Sequence, residues 1–242
     1  MKERNIRDFY QNQYKEVYGS GCLGWMSKRV HKSLEHSHKE SDSFGVVLEL
    51  GAGHGQHLPF VRHGYDTYLE TDINQEILPS RDAQEFPKVG NRVVDAQSLE
   101  GIEFHSADRL VATCLLPHLP DPEAALENWR RVVKPGGSLS IYVPSEPGAL
   151  LRLAQTVTSR RRIEKLGLEY WLAHYREHPY HFPYLRRIVE HVFRNDELRL
   201  RGYPLARASW NLSLFWVFEV KVAPQAGTLK SKGSSPTLSC QA

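Results

Sequence analysis

An α/β fold built on a mostly parallel sheet is predicted for this chain by three observations. Short apolar runs alternate with stretches of helical spacing, one such run ends in three glycines spaced two apart, and the clearest helix leads at once into another strand-like run. The chain has 242 residues with 40% hydrophobic content, enough for one α/β domain with additions and a sizeable core.

Residues 1–43 read as an N-terminal helical cap and linker. Tyr10, Tyr14 and Tyr18 recur every four residues, the stretch 19–24 interrupts them, and Met26, Val30 and Leu34 then share one stripe. A polar segment, 35–43, leads into the sheet domain at 44–224, whose strands are expected near 46–50, 66–71, 91–95, 108–114 and 138–143 with helical stretches between them. Asp121-Pro122-Glu123 opens the clearest helix, Leu126, Trp129, Val132 and Val133 line one face, and Lys134-Pro135-Gly136-Gly137 stops it. Beyond Pro144 the chain turns helical, basic and aromatic over about 145–195. A parallel crossover needs only about a dozen residues, so this segment reads as an insertion on the substrate side. Two last strands are expected at 199–203 and 215–222. Residues 225–242 lack aromatics, are rich in Ser, Lys and Gly, and read as a disordered tail.

Charge and cysteines exclude more than they assign. A net charge of +3 is too slight to argue for nucleic acid by itself. Cys22, Cys114 and Cys240 are far apart in sequence, so neither a disulfide framework nor a zinc site is expected and no metal is assigned. A reducing, cytoplasmic setting follows, with no membrane span, because the longest apolar candidate, 212–222, is interrupted by Glu219.

The run Val46-Val47-Leu48-Glu49-Leu50-Gly51-Ala52-Gly53-His54-Gly55 reads as a buried strand entering a ligand-binding turn, with 56–63 able to begin a helix whose N-terminus favours an anion. A dinucleotide fingerprint begun at Gly51 needs glycine where Gln56 stands, and one begun at Gly53 needs it at Leu58. A phosphate-binding loop needs Gly-Lys-Ser/Thr, which is absent after Gly55. What remains, Glu-x-Gly-x-Gly-x-Gly, resembles motif I of the class I S-adenosylmethionine-dependent methyltransferases. The block from Leu116-Pro117-His118-Leu119-Pro120-Asp121-Pro122 to Lys134-Pro135-Gly136-Gly137 resembles the same family, so the likeness is specific over about 46–143.

That resemblance implies a Rossmann-like seven-stranded sheet, parallel with one antiparallel edge strand, helices on both faces and a helical insertion before the last two strands. It implies S-adenosyl-L-methionine as cofactor, with Glu49, Gly51, Ala52, Gly53, His54 and Gly55 around its methionine part. A carboxylate about twenty residues after the glycines binds ribose hydroxyls in nucleotide-binding sheets. Asp72 stands there, followed by Ile73 in a family-like Asp-Ile-Asn, while Glu70 competes. Asp95-Ala96 resembles the family's adenine-binding pair, with a helix cap as the plain alternative. Thr113 and Cys114 fall where family members contact the methionine amino group, and Tyr10 or Tyr18 in the N-terminal segment could face the cofactor.

Methyl transfer needs alignment, exclusion of water and, for a hydroxyl acceptor, a base, so a missing catalytic triad does not argue against an enzyme. His118, after the fourth strand where the family often writes His-His, is the leading base, with Pro117 replacing the first of the pair. In the insertion, His174, His178, His181 and Tyr180 read as a polar, aromatic substrate wall. His174 and His178 share a helix face, but no acidic partner is placed beside them as in His-Glu-x-x-His, so the metal reading is set aside. Leu115-Leu116-Pro117-His118 replaces the Asn/Asp-Pro-Pro-Tyr of nucleobase amine methylation. A small or carrier-linked acceptor, methylated at oxygen, is therefore expected. The rivals are a non-catalytic cofactor-binding partner, an RNA methyltransferase using Arg160, Arg161 and Arg162, and an NAD(P)-dependent oxidoreductase.

Overall fold

A computed structural model of the chain describes residues 21–224 except 166, 168, 207 and 208. Tyr10, Tyr18 and the expected tail at 225–242 lie outside the described residues. The strands are β1 (Ser43–Leu50), β2 (Gly64–Asp72), β3 (Val89–Val93), β4 (Ala107–Thr113), β5 (Val133–Pro144), β6 (Glu197–Tyr203) and β7 (Phe215–Lys221). The helices are α1 (Gly21–Leu34), α2 (Pro122–Val132), α3 (Ala149–Val157), α4 (Ser159–Lys165), α5 (Tyr170–Glu177) and α6 (Phe182–Val192).

All seven strands join one sheet in the order β3-β2-β1-β4-β5-β7-β6. The four pairings among β1–β5 run parallel, and β7 is antiparallel to both β5 and β6, so β6 and β7 form the expected antiparallel edge pair. Alternation along the strands divides the core. Leu48, Leu50, Leu110, Leu139, Ile141 and Phe218 face one side with α2 and α6, while Val47, Tyr68, Val111 and Val217 face the other with Val30 and Leu34 of α1.

The expected helices in the first three crossovers do not form. After the glycine turn only a single 3₁₀ turn, Leu58–Phe60, follows, because Pro59 lacks a backbone donor and His57 and Leu58 are pulled into the core. Gln75–Ile77 is again a 3₁₀ turn, ahead of Pro79 and Pro87, and the β3–β4 connection is made of turns. Strand β3 also starts earlier than expected and ends at Val93, at the exposed edge of the sheet.

Helix α2 forms where its signals stand. Asp121 Oδ1 accepts from the Ala124 N–H at 3.0 Å, Pro122 opens the helix, and Trp129 is buried with its indole N–H donating to the Ala96 carbonyl at 2.8 Å. Asp121→Ala is expected to cost about 1 kcal/mol, a fall of about 2–4 °C in the thermal midpoint for a chain this long. An unchanged midpoint would show that Pro122 and the Trp129 anchor fix this helix without the cap.

Beneath α1 the second face carries a buried polar core that the sequence reading missed. Arg109, fully buried in β4, donates to Glu35 Oε1 at 2.6 Å and Oε2 at 3.1 Å and contacts His63 Nε2. His57 Nε2–H donates to Glu35 at 2.9 Å, and His57 Nδ1 lies 3.2 Å from His31 Nδ1. His38 lies 3.4 Å from Ser140 Oγ, which donates to Glu219 at 2.9 Å. Burial pushes the histidines down, His31 and His38 to about 3 and His57 and His63 in the same direction. Burial alone would raise Glu35, but hydrogen bonds from His57 and Arg109 and the Arg109 charge hold it well below the ordinary carboxylate range.

These shifts set the sign of the acid response. A histidine kept neutral in the fold stabilises it fully above the unfolded value of about 6.5, and below that pH the unfolded chain binds protons that the fold refuses. The Glu35 contribution is lost further down, as pH falls below the ordinary carboxylate value. Thermal midpoints measured at falling pH should therefore begin to drop near pH ~6.5 and keep dropping toward pH ~4. A midpoint that stays flat through this window contradicts a neutral, buried histidine set.

Candidate active site

Parallel strands β1, β2, β3, β4 and β5 end at one edge of the sheet, where open α/β sheets bind ligands. The glycine turn follows β1 there. Gly51 takes φ +64°, and an added Cβ would lie 3.0 Å from Leu115 Cδ1, so the turn and the β4 loop approach too closely for a side chain. The Gly53 N–H donates to Asp72 Oδ2 at 3.1 Å, and the Ala52 N–H donates to the Thr71 carbonyl at 2.8 Å. The end of β2 therefore holds the turn.

Glu49 does not hold this turn. Strand alternation places its carboxyl on the α1 face, where it accepts from Tyr68 Oη at 2.7 Å, and burial pushes it up to about 8. Glu70, the competing acid, is fully buried and gripped by Arg81, with Nε at 2.9 Å and Nη2 at 2.5 Å, while the same guanidinium reaches the Gly55 carbonyl at 3.2 Å. Asp72 is the acid left at the rim, with its Oδ1 accepting from the Asn74 N–H at 2.9 Å and Ile73 69% exposed beside it. Asp95 is exposed and accepts from the Gln97 N–H at 2.8 Å. Gln97 in turn binds the Asp121 backbone at both ends, so Asp95 helps to seat α2.

At the end of β4, Thr113 Oγ1 is buried with no hydrogen-bond partner among the described residues. Cys114 follows with φ +54°, a left-handed conformation rare for a non-glycine side chain. An orphaned hydroxyl, a strained neighbour and open space over Gly53, where a Cβ would meet nothing within 4 Å, fit a polar ligand at this edge.

Across this edge stands a cluster that the sequence divides among three segments. His178, capping α5, has Nδ1 2.7 Å from Glu146 Oε2 and Nε2 3.0 Å from His118 Nε2. His174 Nε2 lies 2.8 Å from Glu146 Oε1 and 3.2 Å from Gln155 Nε2, and its ring stacks on Tyr170. Burial opposes charge on His178, but hydrogen bonds with Cys114 and Glu146 push it up to about 10. Burial, followed by the His178 charge, pushes His118 down to about 3. Burial would raise Glu146, yet its hydrogen bonds with His174 and His178 hold it well below the ordinary range.

His118, His174 and His178 thus come together with Cys114. His181 does not: it is exposed at the start of α6, against Tyr175. Tyr180 donates to the Pro120 carbonyl at 2.6 Å and stacks on Tyr184, closing over the 116–120 loop. His54, partly exposed in the turn, is absent from this cluster. Glu146 was missed. The argument against a metal rested on the lack of an acid beside His174 and His178, and the fold brings one in from the end of β5.

The strand order and the ligand edge define a Rossmann-like cofactor-binding domain of the methyltransferase type. Residues 48–141 match the family model described as a methyltransferase domain. The polyketide synthase component of lovastatin nonaketide synthase from Aspergillus terreus is 28% identical over 148 residues, covering 56% of this chain and 4% of the synthase. Among solved structures, the CurJ carbon methyltransferase superposes with a TM-score of 0.56 at 19% identity, over 86% of this chain and 57% of that one. Haemonchus contortus phosphoethanolamine N-methyltransferase 2 gives 0.58 at 15% identity, over 91% and 60%. The chain has the class I methyltransferase fold, with the match to a methyltransferase domain over residues 48–141.

Proposed function

We propose that the chain transfers a methyl group from S-adenosylmethionine to a small or carrier-linked acceptor held between the glycine turn and the helices α3, α4, α5 and α6. The observation that carries this reading is the line Glu146–His178–His118, built beside Thr113 and Cys114 at the ligand edge. Gly51, Ala52, Gly53, His54 and Gly55 form the methionine side. Asp72 and Ile73 are assigned to the ribose and its neighbourhood, Asp95 and Ala96 to the adenine, and Thr113 and Cys114 to the amino end, with Tyr10 and Tyr18 as covering residues. When bound, the cofactor supplies a methyl group on a sulfonium whose charge disappears on transfer.

The residues of this chain supply position and a proton acceptor. Glu146 holds His178 through Nδ1 and leaves Nε2 directed at His118. His118, neutral beside the charged His178, takes the proton lost by the acceptor, and Glu146 holds the imidazolium of His178 in place. The sequence reading put this role on His118. That role stays with His118, and His178, charged against Glu146, positions it. Tyr180, His174 and Tyr170 form the wall, while exposed His181 leaves the substrate assignment.

A base suits an acceptor that loses a proton on methylation, so oxygen is the first reading. Carbon is the second, favoured by likeness to a protein named as a carbon methyltransferase. The match to a polyketide synthase component supports an acceptor joined to a carrier. RNA loses ground because Arg160 pairs with Glu164, and Arg186 and Arg187 pair with Glu190, within their own helices. No helix among the described residues is long and apolar enough to cross a membrane. A reducing, cytoplasmic setting suits the free Cys22 and Cys114.

A labelled-methyl screen over hydroxyl, ketide and amine acceptors, free and carrier-linked, tests the assignment. Label appearing in a hydroxyl or ketide acceptor is the expected result. Binding of S-adenosylhomocysteine without transfer to any acceptor favours a non-catalytic partner instead.

A further inference from the structure

We propose that Cys114, His118 and His178 form a binding site for a zinc-class transition-metal ion, with Glu146 as the carboxylate behind His178. A thiolate and two imidazoles are the donors zinc prefers, and three protein ligands leave a fourth position open. One ligand atom from each of these residues lies within 4.8 Å of the others, and the two Nε2 atoms are 3.0 Å apart. Tetrahedral ligands about 2.0–2.3 Å from an ion stand little farther apart than that, so small side-chain movements close the site.

The surroundings of the imidazoles carry the argument beyond proximity. Metal-bound histidine almost always gives its second nitrogen to an oxygen. His178 Nδ1 is 2.7 Å from Glu146 Oε2, and His118 Nδ1 faces Glu177, with Oε2 at 3.8 Å. Both rings therefore turn Nε2 toward the same point. Cys114 reaches that point from a left-handed backbone position, φ +54°, which the end of β4 imposes. Glu146, His174 and His178 form a second possible triad, but both Glu146 oxygens are already engaged at 2.7 and 2.8 Å by imidazoles. On the thiol side an ion would replace the Cys114–His178 and His118–His178 contacts, with Cys114 binding as thiolate and His178 through a deprotonated Nε2, both protons being released to solvent.

One consequence rests on the methyl-transfer reading above. An ion on His118 Nε2 occupies the nitrogen that takes the acceptor's proton, so zinc inhibits transfer reversibly.

The chain stripped with a chelator and titrated with cobalt(II) tests the site directly. A single equivalent should give a thiolate-to-cobalt charge-transfer band with intense tetrahedral absorption, displaced by zinc. Cys114→Ser should lose the band, and Glu146→Gln should weaken zinc binding about 10–100-fold. Without any variant, stoichiometric zinc should slow alkylation of Cys114, read by peptide mass, and leave exposed Cys22 reactive. A cobalt spectrum lacking the thiolate band, or zinc binding unchanged in Cys114→Ser and His178→Asn, means adventitious binding to surface histidines and overturns the site. On an active preparation, stoichiometric zinc should stop transfer and chelator restore it, and a rate indifferent to full occupancy overturns the inhibition. If the metal-free chain transfers nothing, the function above fails while the cobalt spectrum still decides the metal site.

Discussion

Glu146→Gln is expected to lower kcat for methyl transfer by about 10²–10⁴-fold, the range that a positioned acid or base supplies, while S-adenosylhomocysteine binds as before. The amide keeps the size of the side chain and its bond to Gln155, but not the charge that stabilises imidazolium on His178. His178→Asn should match it, and the double variant should fall little below either single one, because residues acting as a unit lose their effect together. Rapid-quench measurement of one turnover separates this loss from product release. Equal losses in kcat and in S-adenosylhomocysteine affinity would instead mean that Glu146 holds the ligand edge together and that the base lies elsewhere.

Arg109→Met should have the largest effect on stability. Its guanidinium lies in the sheet interior against Glu35, His63, Ser140 and the Leu34 carbonyl. Removing it leaves the Glu35 carboxylate buried with neutral His57 at 2.9 Å and His63 at 3.8 Å but no cation to answer it, and breaking a buried pair from one side costs about 3–5 kcal/mol. That is a large share of the roughly 5–15 kcal/mol that holds a domain folded. Glu35→Gln combined with Arg109→Met should cost less than the sum of the two, because the second change removes the charge that the first strands. Urea midpoints of the four proteins measure this coupling. Additive losses, or a single-variant loss below about 1 kcal/mol, would show that water already solvates the pair.

The places of the central strands were legible because they are mostly apolar runs, such as 46–50 and 110–112, with turn residues between them. The glycine turn was legible through its spacing, and Asp72 stands at the end of β2 where that spacing and the family-like Asp-Ile-Asn put it. Helix spacing over 56–63 was misleading, since Pro59 and the buried His57 favour a tight turn. Arg109 stood in an apolar strand with nothing local to reveal Glu35, 74 residues away. Glu146 escaped for the same reason, being 32 residues from His178. Single-residue chemistry that depends on long-range contact leaves no period in the sequence. His174 and His178 did leave one, at four-residue spacing, and the missing acid kept its meaning hidden.

Calorimetric titration of S-adenosylhomocysteine into the wild-type chain and into Asp72→Ala decides whether the cofactor binds at this edge of the sheet. The wild type should bind at one site. Asp72→Ala should bind at least tenfold more weakly, because the same carboxylate that would take the ribose hydroxyls also holds the Gly53 N–H. No binding by the wild type, or equal binding by both proteins, contradicts the account.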